Sequence, residues 1–280
     1  MIRNIVVGYD GTRGSDVAVE QAIGLAELGG GRIYLATVTT VTEGDLDGAV
    51  GPGEREIADM VMAPAAAGGE DEDGVGGETP LSLDTIHQRC QELNIVCEDE
   101  RLVGRSPASR LLHRSWLAEL LVIGRGSERR PGMIGPNATF LLSELVAPTM
   151  VCARRHVEVR NVLVPYKLSV NGTRALSFAG ELCETLNARL KVLACHRRRT
   201  VAEEAREAAE RHLRAYHVES EVSVALALPH EAVHSAALEG ESSLIVVPGA
   251  HKRYYLFPWQ RNETLWRALE VPGVAVIAYP

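Results

Sequence analysis

The chain has 280 residues, 46% hydrophobic and 24% charged, which provides for two ordinary cores and excludes a disordered or fibrous chain. No apolar run approaches the roughly 20 residues that span a bilayer, and "MIRNIVVGYDG" passes straight from a strand-like run into a turn, so a cytoplasmic location is expected. The net charge of −8 is local: 42–80 holds eleven acids (Glu43, Asp45, Asp47, Glu54, Glu56, Asp59, Glu70, Asp71, Glu72, Asp73, Glu78) against Arg55, a charge of −10 that leaves +2 for the rest and no basic stripe for nucleic acid.

The first β-branched run predicts a strand over 5–9 that ends in "YDGT", with Asp10 at its carboxyl end and Gly11 free to make the tight turn. A helix over 15–28 follows, stopped by the "GGG" at 29–31, and then a strand over 33–38. The acidic insertion, "PAAAGGEDEDGVGGETP" at its heart, has too little apolar content to offset its ordering entropy and is expected to be mobile. Beyond it the patterns predict a helix over 81–93, a strand over 95–102, a helix over 106–119 and a strand over 120–124. Next comes "IGRGSERRPGMIGPN", whose glycines let backbone N–H groups approach an anion, ahead of a helix over 138–146 and a strand over 150–153. Solid apolar strands alternating with helices imply right-handed crossovers and a parallel sheet covered on both faces.

The pattern then repeats. "RNIVVGYDGTRGSDVAVEQAIGLAELGGGRIYLATV" from Arg3 lies without a gap over "RNVLVPYKLSVNGTRALSFAGELCETLNARLKVLAC" from Arg160, pairing Arg3 with Arg160, Tyr9 with Tyr166, Leu25 with Leu182 and Arg32 with Arg189 at an offset of 157. Farther on, 120–153 lies over 244–277 at an offset of 124, the difference reflecting the insertion. Two α/β domains are expected, at 1–155 with the insertion at 42–80, and at 159–280.

In an open parallel sheet, ligands bind beyond the carboxyl ends of the strands where their order reverses, so the loops after the first and fourth strands matter most. Asp10 is suited to accept hydrogen bonds from a ribose hydroxyl or an adenine amine; a solvated helix-capping carboxylate is the alternative. There is no G-x4-GK(S/T) loop, no GxGxxG after the first strand and no G-x-S-x-G elbow. The third strand ends in "RLVGR", without a receiver aspartate, and His113 has no nucleophile visibly paired to it. Five scattered cysteines (Cys90, Cys97, Cys152, Cys183, Cys195) with no CxxC argue against a disulfide framework or a zinc ribbon and read as buried thiols.

A duplicated half that begins with strand-Asp-Gly-Thr and ends in a strand, a glycine loop, a helix and "VAPTMVCAR" resembles the universal stress protein family in its tandem two-domain form. The resemblance covers nearly the whole chain apart from the insertion. It implies two Rossmann-like domains, each a five-stranded parallel sheet of order 3-2-1-4-5 with helices on both faces, paired through their last strands. It also implies, in one subclass, ATP or a related adenine nucleotide, with Mg2+ as a companion ion, held by a G-x2-G-x9-G-(S/T) loop. Cofactor contacts then fall to Asp10, Gly11 and Thr12 after the first strand, to Val38 beside the adenine, and to Gly124, Gly126, Ser127, Gly135 and Asn137 in the loop.

The loop departs from the family pattern. Ten residues separate Gly124 from Gly135, two fewer than the family spacing; Ser127 stands where the second glycine belongs; Pro136 replaces the hydroxyl residue and removes an N–H. In the second half Lys167 stands in place of Asp10, Leu168 replaces Gly11, and Trp259 lies opposite Gly135. Five of the chain's thirteen aromatic residues (Tyr254, Tyr255, Phe257, Trp259, Trp266) cluster there, as a plugged pocket, a contact surface or simple core packing. "CHRRR" at 195–199 reads as a solvated helix approach or an acid-binding run.

The leading expectation is a nucleotide-responsive regulatory module with one ligand-holding domain, one degenerate structural domain and no catalytic residue. A ligand-free stress-response scaffold and a slow ATPase are the alternatives. The partners expected are the two halves for each other, a homodimer as a further assembly, and a protein whose identity the sequence does not give.

Overall fold

The computed structural model describes residues 2–40, 81–126, 134–239, 242–249 and 262–280. The expectations for 42–80, Ser127, Tyr254, Tyr255, Phe257 and Trp259 lie outside the described residues.

In the first half β1 (Asn4–Gly8), α1 (Arg13–Gly29), β2 (Arg32–Thr40), α2 (Leu83–Glu92), β3 (Cys97–Gly104), α3 (Pro107–Ser115), β4 (Leu120–Ile123), α4 (Pro136–Ser143) and β5 (Thr149–Val151) follow one another. The second half repeats the series as β6 (Asn161–Tyr166), α5 (Val170–Leu186), β7 (Arg189–Cys195), α6 (Arg199–Leu213), β8 (Ser220–Ala225), α7 (Pro229–Leu238), β9 (Leu244–Val247), α8 (Glu263–Glu270) and β10 (Ala275–Ala278). Local signals set the ends. Thr12, Ser82, Ser106, Ser169 and Asn262 cap helices with their side chains, and Gly30, at φ +66°, stops α1 as its N–H bonds the Ala26 carbonyl.

The ten strands form one sheet in the order β3-β2-β1-β4-β5-β10-β9-β6-β7-β8. Each half thus has the order 3-2-1-4-5 and is parallel throughout, while β5 and β10 meet antiparallel, Met150 opposite Ile277. With these two strands paired to each other, the sheet's edges are β3 and β8.

Alternation along each strand feeds two cores. Ile5 and Val7 pack beneath α1, α2, α5 and α6, with Ala18, Ile86, Leu176 and Ala209; Val6 packs beneath α3, α4, α7 and α8, with Leu111, Leu141, Val233 and Leu269. Both cores cross the β5–β10 seam without interruption. Cys90, Cys152, Cys183 and Cys195 are buried, and burial pushes the thiols of the last three up to about 12.

β1 pairs with β2 on one side and β4 on the other. The chain leaves β1 outward through β2 and β3, then returns to the far side of β1 as β4. The β1 and β4 loops therefore both leave the sheet at the switch point of the carboxyl edge, where open parallel sheets bind their ligands.

Candidate functional site

Tyr9 carries the pairing one residue past β1, its N–H donating to the Ala36 carbonyl at 3.0 Å, and this puts Asp10 at the sheet's carboxyl edge, exposed. Gly11 has φ +74° with no atom within 4 Å of where a Cβ would stand, so the requirement for glycine there is one of backbone conformation alone. The turn folds onto Asp10: its Oδ1 accepts from the Thr12 N–H at 3.1 Å and from the Thr12 hydroxyl at 2.6 Å. Thr12 Oγ1 in turn accepts from the Ser15 N–H at 3.3 Å and caps α1. Asp10 is therefore a positioned carboxylate with acceptor capacity to spare.

The β4 loop presses on this turn backbone to backbone. A Cβ on Gly124 would lie 2.5 Å from the carbonyl carbon and oxygen of Gly14 and 3.0 Å from the Ser15 nitrogen. Gly126 has φ +83°, and a Cβ there would lie 2.7 Å from the nitrogen and Cα of Gly135. The Gly135 N–H donates to the Arg125 carbonyl at 2.9 Å, so the loop is drawn together at its neck. Gly135 is also the N-cap of α4, where no side chain bonds the first-turn N–H groups; Pro136 is at the helix start, and Asn137 follows on its exposed first turn. Donors left free at a helix start, at the positive end of its dipole, suit an anion.

Asp10, Gly11, Thr12, Gly124, Gly126 and Gly135 thus lie along one stretch of the carboxyl edge, with Gly14 as the point of contact between the α1 turn and the β4 loop. Val38 is more peripheral: half-buried on β2 opposite Leu102 of β3, it packs against the core beneath α3. Tyr9 and Asp16 were not expected at the site. The Tyr9 hydroxyl donates to the Leu81 carbonyl while the Leu81 N–H donates to Asp16 Oδ2 at 3.3 Å, which ties the start of the α2 segment to the first turn of α1. Burial raises the Asp16 pKa above the usual carboxylate range, with the Leu81 N–H opposing.

Residues 1–153 match the model of the universal stress protein family. The chain belongs to that family. A universal stress protein of Archaeoglobus fulgidus DSM 4304 is 17% identical and superposes with a TM-score of 0.69, covering 98% of this chain and 97% of that one. A functionally unknown protein of Pseudomonas aeruginosa PAO1 is 12% identical, with a TM-score of 0.63 and coverage of 99% and 92%. At these identities the likeness establishes the fold. No curated protein matches the sequence.

In the second universal stress protein half the equivalent place carries different residues. Lys167 is exposed where Asp10 stands in the first half, and a Cβ on Gly172 would lie 2.2 Å from the Lys167 carbonyl oxygen. Gly249, at φ +61°, begins the loop, and its carbonyl accepts from Asn262 Nδ2 at 3.0 Å. The same Asn262 accepts from the Leu265 N–H at 3.0 Å and caps α8. Of the arginine run, Arg197 lies 3.8 Å from Glu231, and Arg198 and Arg199 are exposed at the start of α6.

Proposed function

We propose that the first half of this universal stress protein binds one adenine nucleotide, ATP or a close relative, and that the second half, beginning near residue 159, serves as its structural partner. The observation that carries this reading is the contrast between α4 and α8. The α8 start is capped by Asn262, which also ties the loop to Gly249; the α4 start has no side-chain cap and stands beside a glycine neck and a positioned Asp10.

In this reading Asp10 accepts from the ribose hydroxyls or the adenine amine, Val38 lines the adenine, and the N–H groups of Gly126 and α4's first turn, with the Asn137 amide, meet the phosphates. Gly124 has no side chain, so the α1 turn and the β4 loop meet closely enough to act as one wall. Nucleotide occupancy would be communicated through the glycine neck and the Leu81 tether, which makes the protein a regulatory module with no chemistry assigned to its residues.

The loss of a hydroxyl at Pro136 supports the competing reading, a scaffold that works through protein contacts alone. Asp10→Ala separates the two. Titration calorimetry with ATP and magnesium is expected to show affinity falling about 10-fold or more, the loss of one or two charge-assisted hydrogen bonds. Unchanged affinity would mean that the site is elsewhere, and a wild-type protein that takes up no nucleotide would favour the scaffold.

A further inference from the structure

Five polar or charged residues of the described chain are buried: Ser15, Gln21, Ser115, Arg125 and Thr149. Four are satisfied. The Ser15 hydroxyl donates to the Thr12 carbonyl, Gln21 Oε1 accepts from the Val157 N–H, and the Ser115 and Thr149 hydroxyls donate to the Leu112 and Ala147 carbonyls. Arg125 is the exception. It is 7% exposed, and its Nε is sealed from solvent with no hydrogen-bond partner. The described residues set no acid against it; the charge that acts on it is Arg154, of the same sign, and burial together with that repulsion pulls the guanidinium below arginine's usual range.

A buried guanidinium without a counter-charge is strongly disfavoured, and a fold keeps one where something anionic completes it. The position of Arg125 says what that is. It lies between Gly124 and Gly126, and its carbonyl holds the N–H of Gly135, the cap residue of α4. An unpaired arginine is thus held, through its backbone, at the start of a helix whose first-turn N–H groups have no side-chain cap, two independent features that ask for the same kind of ligand.

We propose that Arg125 is the phosphate-recognising residue of the nucleotide site. It supplies, as a planar bidentate donor, the anion contact that Pro136 cannot make. This rests on the adenine-nucleotide reading above and adds to it a source for the phosphate affinity: the guanidinium, with Arg154 raising the local positive potential, rather than a loop hydroxyl.

The test is titration of the full-length protein with adenosine, AMP and ATP with magnesium, for the wild type, Arg125→Gln and Arg125→Lys, with circular dichroism as the check on folding. In the wild type, affinity is expected to rise from adenosine to ATP. Arg125→Gln should bind adenosine as the wild type does and lose about 10- to 100-fold for ATP, the worth of a hydrogen bond to a charged group, with Arg125→Lys between the two. Equal losses for adenosine and ATP, or an unchanged ATP affinity, would overturn the role given to Arg125 while leaving the nucleotide reading standing. If the wild type binds none of the three, that reading fails first. Thermal unfolding with inorganic phosphate then decides on Arg125 alone: stabilisation of the wild type but not of Arg125→Gln supports an anion site, and equal behaviour of the two refutes it.

Discussion

Gly124→Ala is expected to lower the thermal midpoint by roughly 6–12 °C and to weaken nucleotide binding more than tenfold. The added Cβ would stand 2.5 Å from the carbonyl carbon and oxygen of Gly14, atoms of a helix backbone that no rotamer change can move aside. Overpacking of this kind costs about 1–3 kcal/mol, and a backbone-on-backbone clash belongs at the upper end; each kcal/mol moves the midpoint of a large domain by about 2–4 °C. The binding loss has a different origin. To relieve the clash the β4 loop must lift away from α1, which separates Asp10 from the helix start at α4. Gly11→Ala is the control: its φ of +74° carries a strain of about 1–2 kcal/mol, yet the site has open space around it. Circular dichroism melts of both variants check the expectation, and a Gly124→Ala protein no less stable than Gly11→Ala would show that the two loops are not in contact.

Ile277→Asp is expected to unfold both halves together at pH 7. Ile277 is 0% exposed on β10, opposite Met150 of β5 and beside Val246 of β9, in the core that runs beneath α1 and α5. A lone carboxylate there belongs to the class of substitutions that cost more than about 4–5 kcal/mol. The pH dependence has a definite sign. Burial raises the folded-state pKa of the new aspartate above its unfolded value, so the variant is least impaired below the unfolded pKa and loses stability as pH rises through the folded one. Because both cores cross the seam, one transition is expected. Two transitions, with the earlier half melting at its wild-type temperature, would show that the halves are stable independently.

How much of this could be seen in the sequence follows from what each residue depends on. The strands and most helices were legible because they rest on local signals: apolar runs, helical spacing and the glycines at 29–31 as a stop. The helix expected over 106–119 ends at Ser115, since Trp116 and Leu117, apolar at helical spacing, are 71% and 76% exposed and find no core to hold them in a further turn. β2 runs on to Thr40 because β3 pairs with it as far as Gly104, a partnership invisible to a window along one strand.

The site divides in the same way. As candidates, Asp10 and Gly11 could be picked out by their place after a strand, and Gly124 and Gly135 by the family's loop pattern. Gly14 could not, because a glycine in the first turn of a helix reads as a weak helix former until Gly124 is seen against it. Arg125 left no signal at all: an arginine between glycines looks solvated, and only tertiary packing buries it. The bond from Asn262 to the Gly249 carbonyl in the second half was likewise hidden, since an asparagine before a helix announces a cap and says nothing of Gly249.

The most direct test of one working nucleotide site in a paired fold is native mass spectrometry of freshly purified protein, before and after incubation with ATP and magnesium. One adenine nucleotide per chain is the expected result. A protein that stays empty under both conditions would contradict the site, and two per chain would contradict the structural role of the second half.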